Sequence, residues 1–250
     1  VGNSPNFAEP SGPRLSWNEQ QETANAIEQF SVGLWRIFIG SVLVTVALVG
    51  IYLPLIAAFF DAAMLQLLRD PRLSLPVLLC SIAGAWIYFS GKQHCLAFTL
   101  AVQKRYLLSA SLGCDIGAFL FRFVRDVPVI GPPSRVAASM LVLLGFLMLL
   151  GFFAYLAKLI GARVSYFMGI ATGTMAVGAM VLALFSGSLA ALMPPAWGWL
   201  PLAIVTLLLL TTTSTYLILT ATLSYQLKHF SRFLRQSLEE EIAEAYAHVD

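Results

Sequence analysis

Of the 250 residues, 58% are hydrophobic and 11% charged, where soluble domains average about 45–50% and about 25%. A conventional water-soluble core is therefore excluded. The formal net charge of +2 is too small to argue for nucleic acid, and no such partner is expected.

Residues 1–35 form a polar N-terminal segment. It carries no basic start, apolar run and small-residue cleavage site in succession, so the first span is expected to direct its own insertion. Ser16 and Glu19 have the spacing of a capping box. Trp17, Ala24, Ile27 and Phe30 recur at helical intervals behind it, which predicts an interfacial helix leading into the membrane.

Four apolar runs follow, at Ile37–Phe60, Val136–Ala157, Val164–Met193 and Leu200–Tyr225. A helix crosses a hydrocarbon core of ~30 Å with about 20 mainly apolar residues. In lipid the backbone must satisfy its own hydrogen bonds, and these runs lack the alternation of barrel strands, so they are predicted helices. Two weaker stretches lie between the first run and the second. Ser74–Ser90 is a short span bounded by Arg72 and Lys92, and Tyr106–Val124 carries Asp115 and Arg122. A central Asp costs about 2.5–3.5 kcal/mol on insertion scales while each large aliphatic residue returns only about 0.3–0.6. By hydropathy alone Tyr106–Val124 is marginal.

Loop charge decides the matter, because Lys and Arg accumulate on the cytoplasmic side of spans. With six spans and both termini inside, ten of the 15 Lys and Arg residues, Lys92 among them, fall inside. With five spans the two sides are nearly equal. The expected fold is thus all-α, an integral membrane bundle of about six transmembrane helices over 36–226, with amphipathic helices at both ends. Prolines 128, 132 and 133 are expected to hold the connection 122–135 out of helix, and Trp197 and Trp199 suit a headgroup-level turn. The expected location is a bacterial inner (plasma) membrane.

Beyond Tyr225, the residues Leu227, Phe230, Leu234, Leu238, Ile242 and Ala245 keep a three-to-four-residue period, which makes 227–250 a cytoplasmic amphipathic helix. Lys228, Arg232 and Arg235 lie nearest the membrane and four glutamates follow, an order that suits anionic headgroups below and water above. Such a helix packs on its own protein, lies on the bilayer, or docks a membrane protein partner or a second copy.

Candidate sites are few. Asp115 is the one acid well inside a proposed span, and an intramembrane carboxylate is a functional-site hypothesis by default. The alternative is that it bonds to neighbouring hydroxyls inside the bundle. The last span offers Thr211, Thr215 and Thr222 among many hydroxyls, which either line a polar path or bond back to their own helix. Gly169 and Gly173 form a GxxxG pair with Gly178 beyond it, and Gly145 and Gly151 precede them, positions that permit close helix packing. His94, His229 and His248 all fall at or past the cytoplasmic boundary, so neither a haem nor a metal site is expected. Cysteines 80, 95 and 114 make no disulfide framework. No protease, hydrolase or nucleotide-binding motif is present, and neither a catalytic residue nor a cofactor is predicted.

The segment GKQHCLA at 91–97, followed by a weak span and then by GFLMLLGFFAYLAKLIGARV at 145–164, resembles a group of uncharacterised bacterial multi-pass proteins with a G-K-x-x-C-L segment after the second span. The resemblance covers about 75–233 and implies six spans rather than an activity. It would make Gly91, Lys92, Cys95 and Leu96 an interfacial turn, with Lys92 anchored at phosphates. Where those proteins tend to place a proline after Cys-Leu, Ala97-Phe98-Thr99 stands here. Two functions follow as expectations. One is a non-enzymatic subunit or scaffold of a membrane complex. The other is a small-solute or ion transporter or channel using Asp115 and the hydroxyls of the last span.

Overall fold

The computed structural model describes residues 17–57, 70–97, 104–123, 131–192, 194 and 200–247. All of the regular structure among them is helical. The six elements are α1 (Trp17–Ala57), α2 (Pro71–Ala97), α3 (Arg105–Phe123), α4 (Gly131–Leu159), α5 (Arg163–Leu192) and α6 (Leu200–Ala247). Five of the six are long and apolar enough to cross a membrane. The exception is α3, whose 19 residues include Arg105, Asp115 and Arg122.

Local chemistry explains several helix ends. Asp70 accepts a hydrogen bond from the Arg72 amide at 2.9 Å, and Pro71 takes the first helical position of α2 where its missing N–H costs nothing. At the end of α4 the Gly161 amide bonds to the Lys158 carbonyl and the Ala162 amide to the Ala157 carbonyl. That pair of bonds is a Schellman cap, and it requires the left-handed conformation that Gly161 adopts at φ 72°. Pro132 and Pro133, expected to hold the chain out of helix, instead lie in the first turn of α4. There the absent donor has no intrahelical partner to lose. Pro128, Trp197, Trp199 and the capping residue Ser16 lie outside the described residues.

The helices form a closed ring. Each packs on its sequence neighbours, and α6 returns to α1. The α1–α2 seam is the most extensive and the α2–α3 seam the thinnest. The first is tight because glycines face each other along it. A Cβ on Gly40 would sit 2.5 Å from the Tyr88 amide nitrogen, and one on Gly91 would sit 2.7 Å from that of Ile37. Gly33 and Gly84 complete the set, so each helix contributes two glycines seven residues apart, two turns along one face.

The interfacial helices expected at both ends are not separate elements. The lead-in at 17–36 is the first part of α1, and the amphipathic tail is the last part of α6. The two run antiparallel and pack together. Ser224 Oγ donates to the Ser31 carbonyl at 3.0 Å and Ser231 Oγ to the Ala24 carbonyl at 3.2 Å, while Arg235 pairs with Glu28. Ala24, Ile27, Leu227 and Leu238 are buried along this line. Of the three expectations for the tail, packing on its own protein is the arrangement found.

The core fills the half of the bundle nearer the termini, where Phe30, Leu149, Phe152, Phe153, Leu219 and Leu223 are almost wholly buried. The opposite half is splayed. Walled mainly by α1, α4, α5 and α6, with Tyr88 of α2 and Phe121 of α3, it holds a crevice of about 1020 Å³.

Candidate functional site

Helical periodicity places Tyr88 and Lys92 on one face of α2, and Ser111 and Asp115 on one face of α3, because each pair is four residues apart. The two faces meet across the thinnest seam of the ring. Lys92 is fully buried and forms an ion pair with Asp115, whose side chain is 15% exposed. The Lys92 ammonium also donates to Ser111 Oγ at 2.7 Å, and it stands 4.6 Å from the centre of the Tyr88 ring. Ser111 Oγ in turn donates to the Gly145 carbonyl at 2.6 Å. Each donor of this cluster thus has an acceptor or a π face, as burial in a low-dielectric interior demands.

Gly145 is what brings α4 close enough to take part. A Cβ there would lie 3.0 Å from Cys114 Cβ and 3.1 Å from Asp115 Oδ1. Any side chain would press on the carboxylate.

Tyr88 links the charges to the crevice. Its ring covers Lys92 and also lines the cavity floor, as does Tyr216. Ser41 Oγ lies 3.4 Å from the Tyr216 hydroxyl. Tyr216 is wedged between Phe146 and Phe153, with ring centroids at 5.1 and 6.3 Å. From this floor the crevice runs toward Leu48, Phe121, Ser134, Ala183 and Leu209. These residues lie at the helix ends farthest from the termini. From Ser134 to Phe146, twelve steps along α4 rise roughly 18 Å at about 1.5 Å each.

Gly91, Lys92 and Cys95, expected at an interfacial turn, are all buried inside α2, which continues to Ala97. The helix does not stop at Lys92 because the charge is met inside the protein, by Asp115, instead of at headgroups. Cys95 packs under α1, its Sγ 3.8 Å from the Phe30 carbonyl oxygen. Asp115 does not rest on hydroxyls alone, since its main partner is a cation that sequence reasoning assigned to a loop.

Thr211 and Thr215 donate to the Leu207 and Thr211 carbonyls of their own helix at 2.8 Å, and Thr222 is partly buried farther along α6. None of the three lines the crevice; their neighbours Thr212, Thr213 and Tyr216 do. Gly169 and Gly173 lie in ordinary van der Waals contact with neighbouring side chains, at 3.6 and 3.7 Å, and Gly178 faces open space. The closest glycine approaches are those of α1 and α2. Among the described residues no three His, Cys, Asp or Glu side chains converge on a point that could hold a metal ion.

No family model, curated protein or solved structure matches this chain. Its chemistry has to be argued from its own geometry.

Proposed function

We propose that this membrane protein is an ion-coupled transporter of a small solute, with the crevice as one end of the path and the Lys92–Asp115 pair as its charge-bearing element. The single observation that carries this is the position of the pair: buried, one helical turn beneath a crevice floor, and bridging the thinnest seam of the ring. A buried ion pair adds little net stability, because desolvating both charges offsets their attraction. Inside a membrane, ionisable residues mark ion and proton pathways. A carboxylate that exchanges a lysine for a proton or cation would loosen the α2–α3 seam and so tie charge movement to a change in helix packing.

Thr212, Thr213 and Tyr216 of α6 supply the polar side of the path in this proposal, in place of Thr211 and Thr215. The termini are proposed to be cytoplasmic in an inner (plasma) membrane, since the excess of Lys and Arg on their side survives removal of the buried Lys92 from the balance. The alternative, a non-enzymatic subunit or scaffold, is favoured by one observation. The paired ends of α1 and α6 present a long helical surface to a membrane protein partner or a second copy.

The test is proton movement in proteoliposomes loaded with a pH-sensitive dye and challenged with a panel of neutral and zwitterionic solutes. Wild type is expected to change internal pH at least tenfold faster than Asp115→Asn with one solute or more. If the two are indistinguishable across the panel, and mild-detergent purification retains a stoichiometric partner, transport is overturned in favour of the subunit.

A further inference from the structure

The crevice has a chemical polarity of its own. Among the described residues no charged side chain lines it. Val142, Leu143, Phe146, Met180 and Leu209 make its walls apolar. Three wall hydroxyls are already committed, because Thr45, Thr212 and Thr213 each donate to a carbonyl of their own helix at 2.7–2.8 Å. Two phenols cluster with Ser41 at the floor, while Ser134 and Ser139 are the remaining hydroxyls of the lining, farther along α4. Ser41 donates to the Ile37 carbonyl at 2.7 Å. The two phenols supply donors, and all three hydroxyl oxygens supply lone pairs, to an occupant.

We infer that the crevice binds a neutral amphiphile, a molecule with an apolar body and a single uncharged hydrogen-bonding head, seated head-down on Tyr88, Tyr216 and Ser41. Charge complementarity selects this class. The Lys92–Asp115 pair below the floor is already neutralised, and an ionic head on the floor would be stripped of water with no counter-charge among the described lining residues. A purely apolar occupant would instead leave the floor hydroxyls unmatched. The volume of about 1020 Å³ stands at the upper end of the roughly 300–1,000 Å³ of small-molecule pockets. That suits a lipid-sized body rather than a sugar or an amino acid. A head bonded to Tyr88 would also disturb the ring that covers Lys92, giving the occupant a direct route to the charge pair. Naming this amphiphile a substrate rests on the transport proposal; binding itself does not.

The probe is hexadecanol carrying a diazirine, with the matching carboxylic acid and quaternary ammonium as charged homologues, applied to the full chain in lipid nanodiscs and mapped by peptide mass spectrometry. The alcohol is expected to label α4 around Val142–Phe146 and α6 around Thr212–Tyr216 at least fivefold more than either homologue. Val142→Trp, which fills the crevice, and Tyr216→Phe, which keeps the ring but removes the hydroxyl, should each cut that labelling severalfold. Tyr216→Phe carries the test alone if Val142→Trp fails to fold. Equal labelling by the charged homologues, or labelling unchanged in the variants, overturns the inference. Selectively labelled wild-type protein without solute-driven proton movement retires transport and keeps the site. Proton movement without selective labelling does the reverse.

Discussion

Lys92 and Asp115 are 23 positions apart, and each alone has an unremarkable explanation. A lysine just past a mainly apolar stretch of seventeen residues, 74–90, looks like an interfacial anchor, and a lone acid in a marginal span looks costly. Together they remove each other's penalty, and this is why α2 runs past Lys92 and why α3 can sit in the ring at all. Asp115 was legible as a residue needing a physical account; its partner was not, because pairing across helices leaves no mark on local periodicity. The pair should behave in stability measurements as coupled buried charges do. Replacing Lys92 by Met is expected to lower unfolding free energy in detergent by about 3–5 kcal/mol, since Asp115 is left uncompensated, whereas Lys92→Met with Asp115→Leu should recover most of that loss. A double variant as unstable as the worse single variant would show that the two residues act separately.

At the scale of the helices, the glycine seam between α1 and α2 was present in the sequence, at Gly33 and Gly40 and at Gly84 and Gly91, but a search for four-residue spacing does not find a seven-residue one. Both spacings keep glycines on one face; only the structure shows which face meets another backbone. Gly40→Ala is expected to be severely destabilising, because the new Cβ would stand 2.5 Å from a main-chain nitrogen that cannot move independently of α2. Gly178→Ala should be neutral or stabilising by up to about 1 kcal/mol, since nothing lies within 4 Å and alanine is the better helix former. Thermal unfolding of the purified variants checks both, and a Gly40→Ala protein as stable as wild type would refute the close seam. The threonines of α6 teach a related lesson. A hydroxyl in lipid bonds to its own helix whichever way it points, so Thr211 and Thr213 are alike in sequence, yet only Thr213 reaches the crevice.

Across the whole molecule, the antiparallel pairing of α1 with α6 puts the start of α1 and the end of α6 on one side and the crevice mouth on the other. A membrane-impermeant maleimide should therefore reach Asp70→Cys and Arg232→Cys from opposite faces of sealed vesicles, with Arg232→Cys on the cytoplasmic face. Cys95, buried against α1, should stay unreactive until the protein unfolds. Labelling of both introduced cysteines from the same face would break the topology. Membrane residence, helical structure, the approximate place of the spans and the amphipathic nature of both ends were determined by sequence alone, because hydropathy and the 3.6-residue period act over a few turns of contiguous chain. The closed ring, the α1–α6 pairing, the meeting of Lys92 with Asp115 and the crevice above them were decided only by tertiary structure. Each depends on which faces of helices distant in sequence come together, and in a chain apolar nearly all round, lipid and protein present the same demand to a helix face.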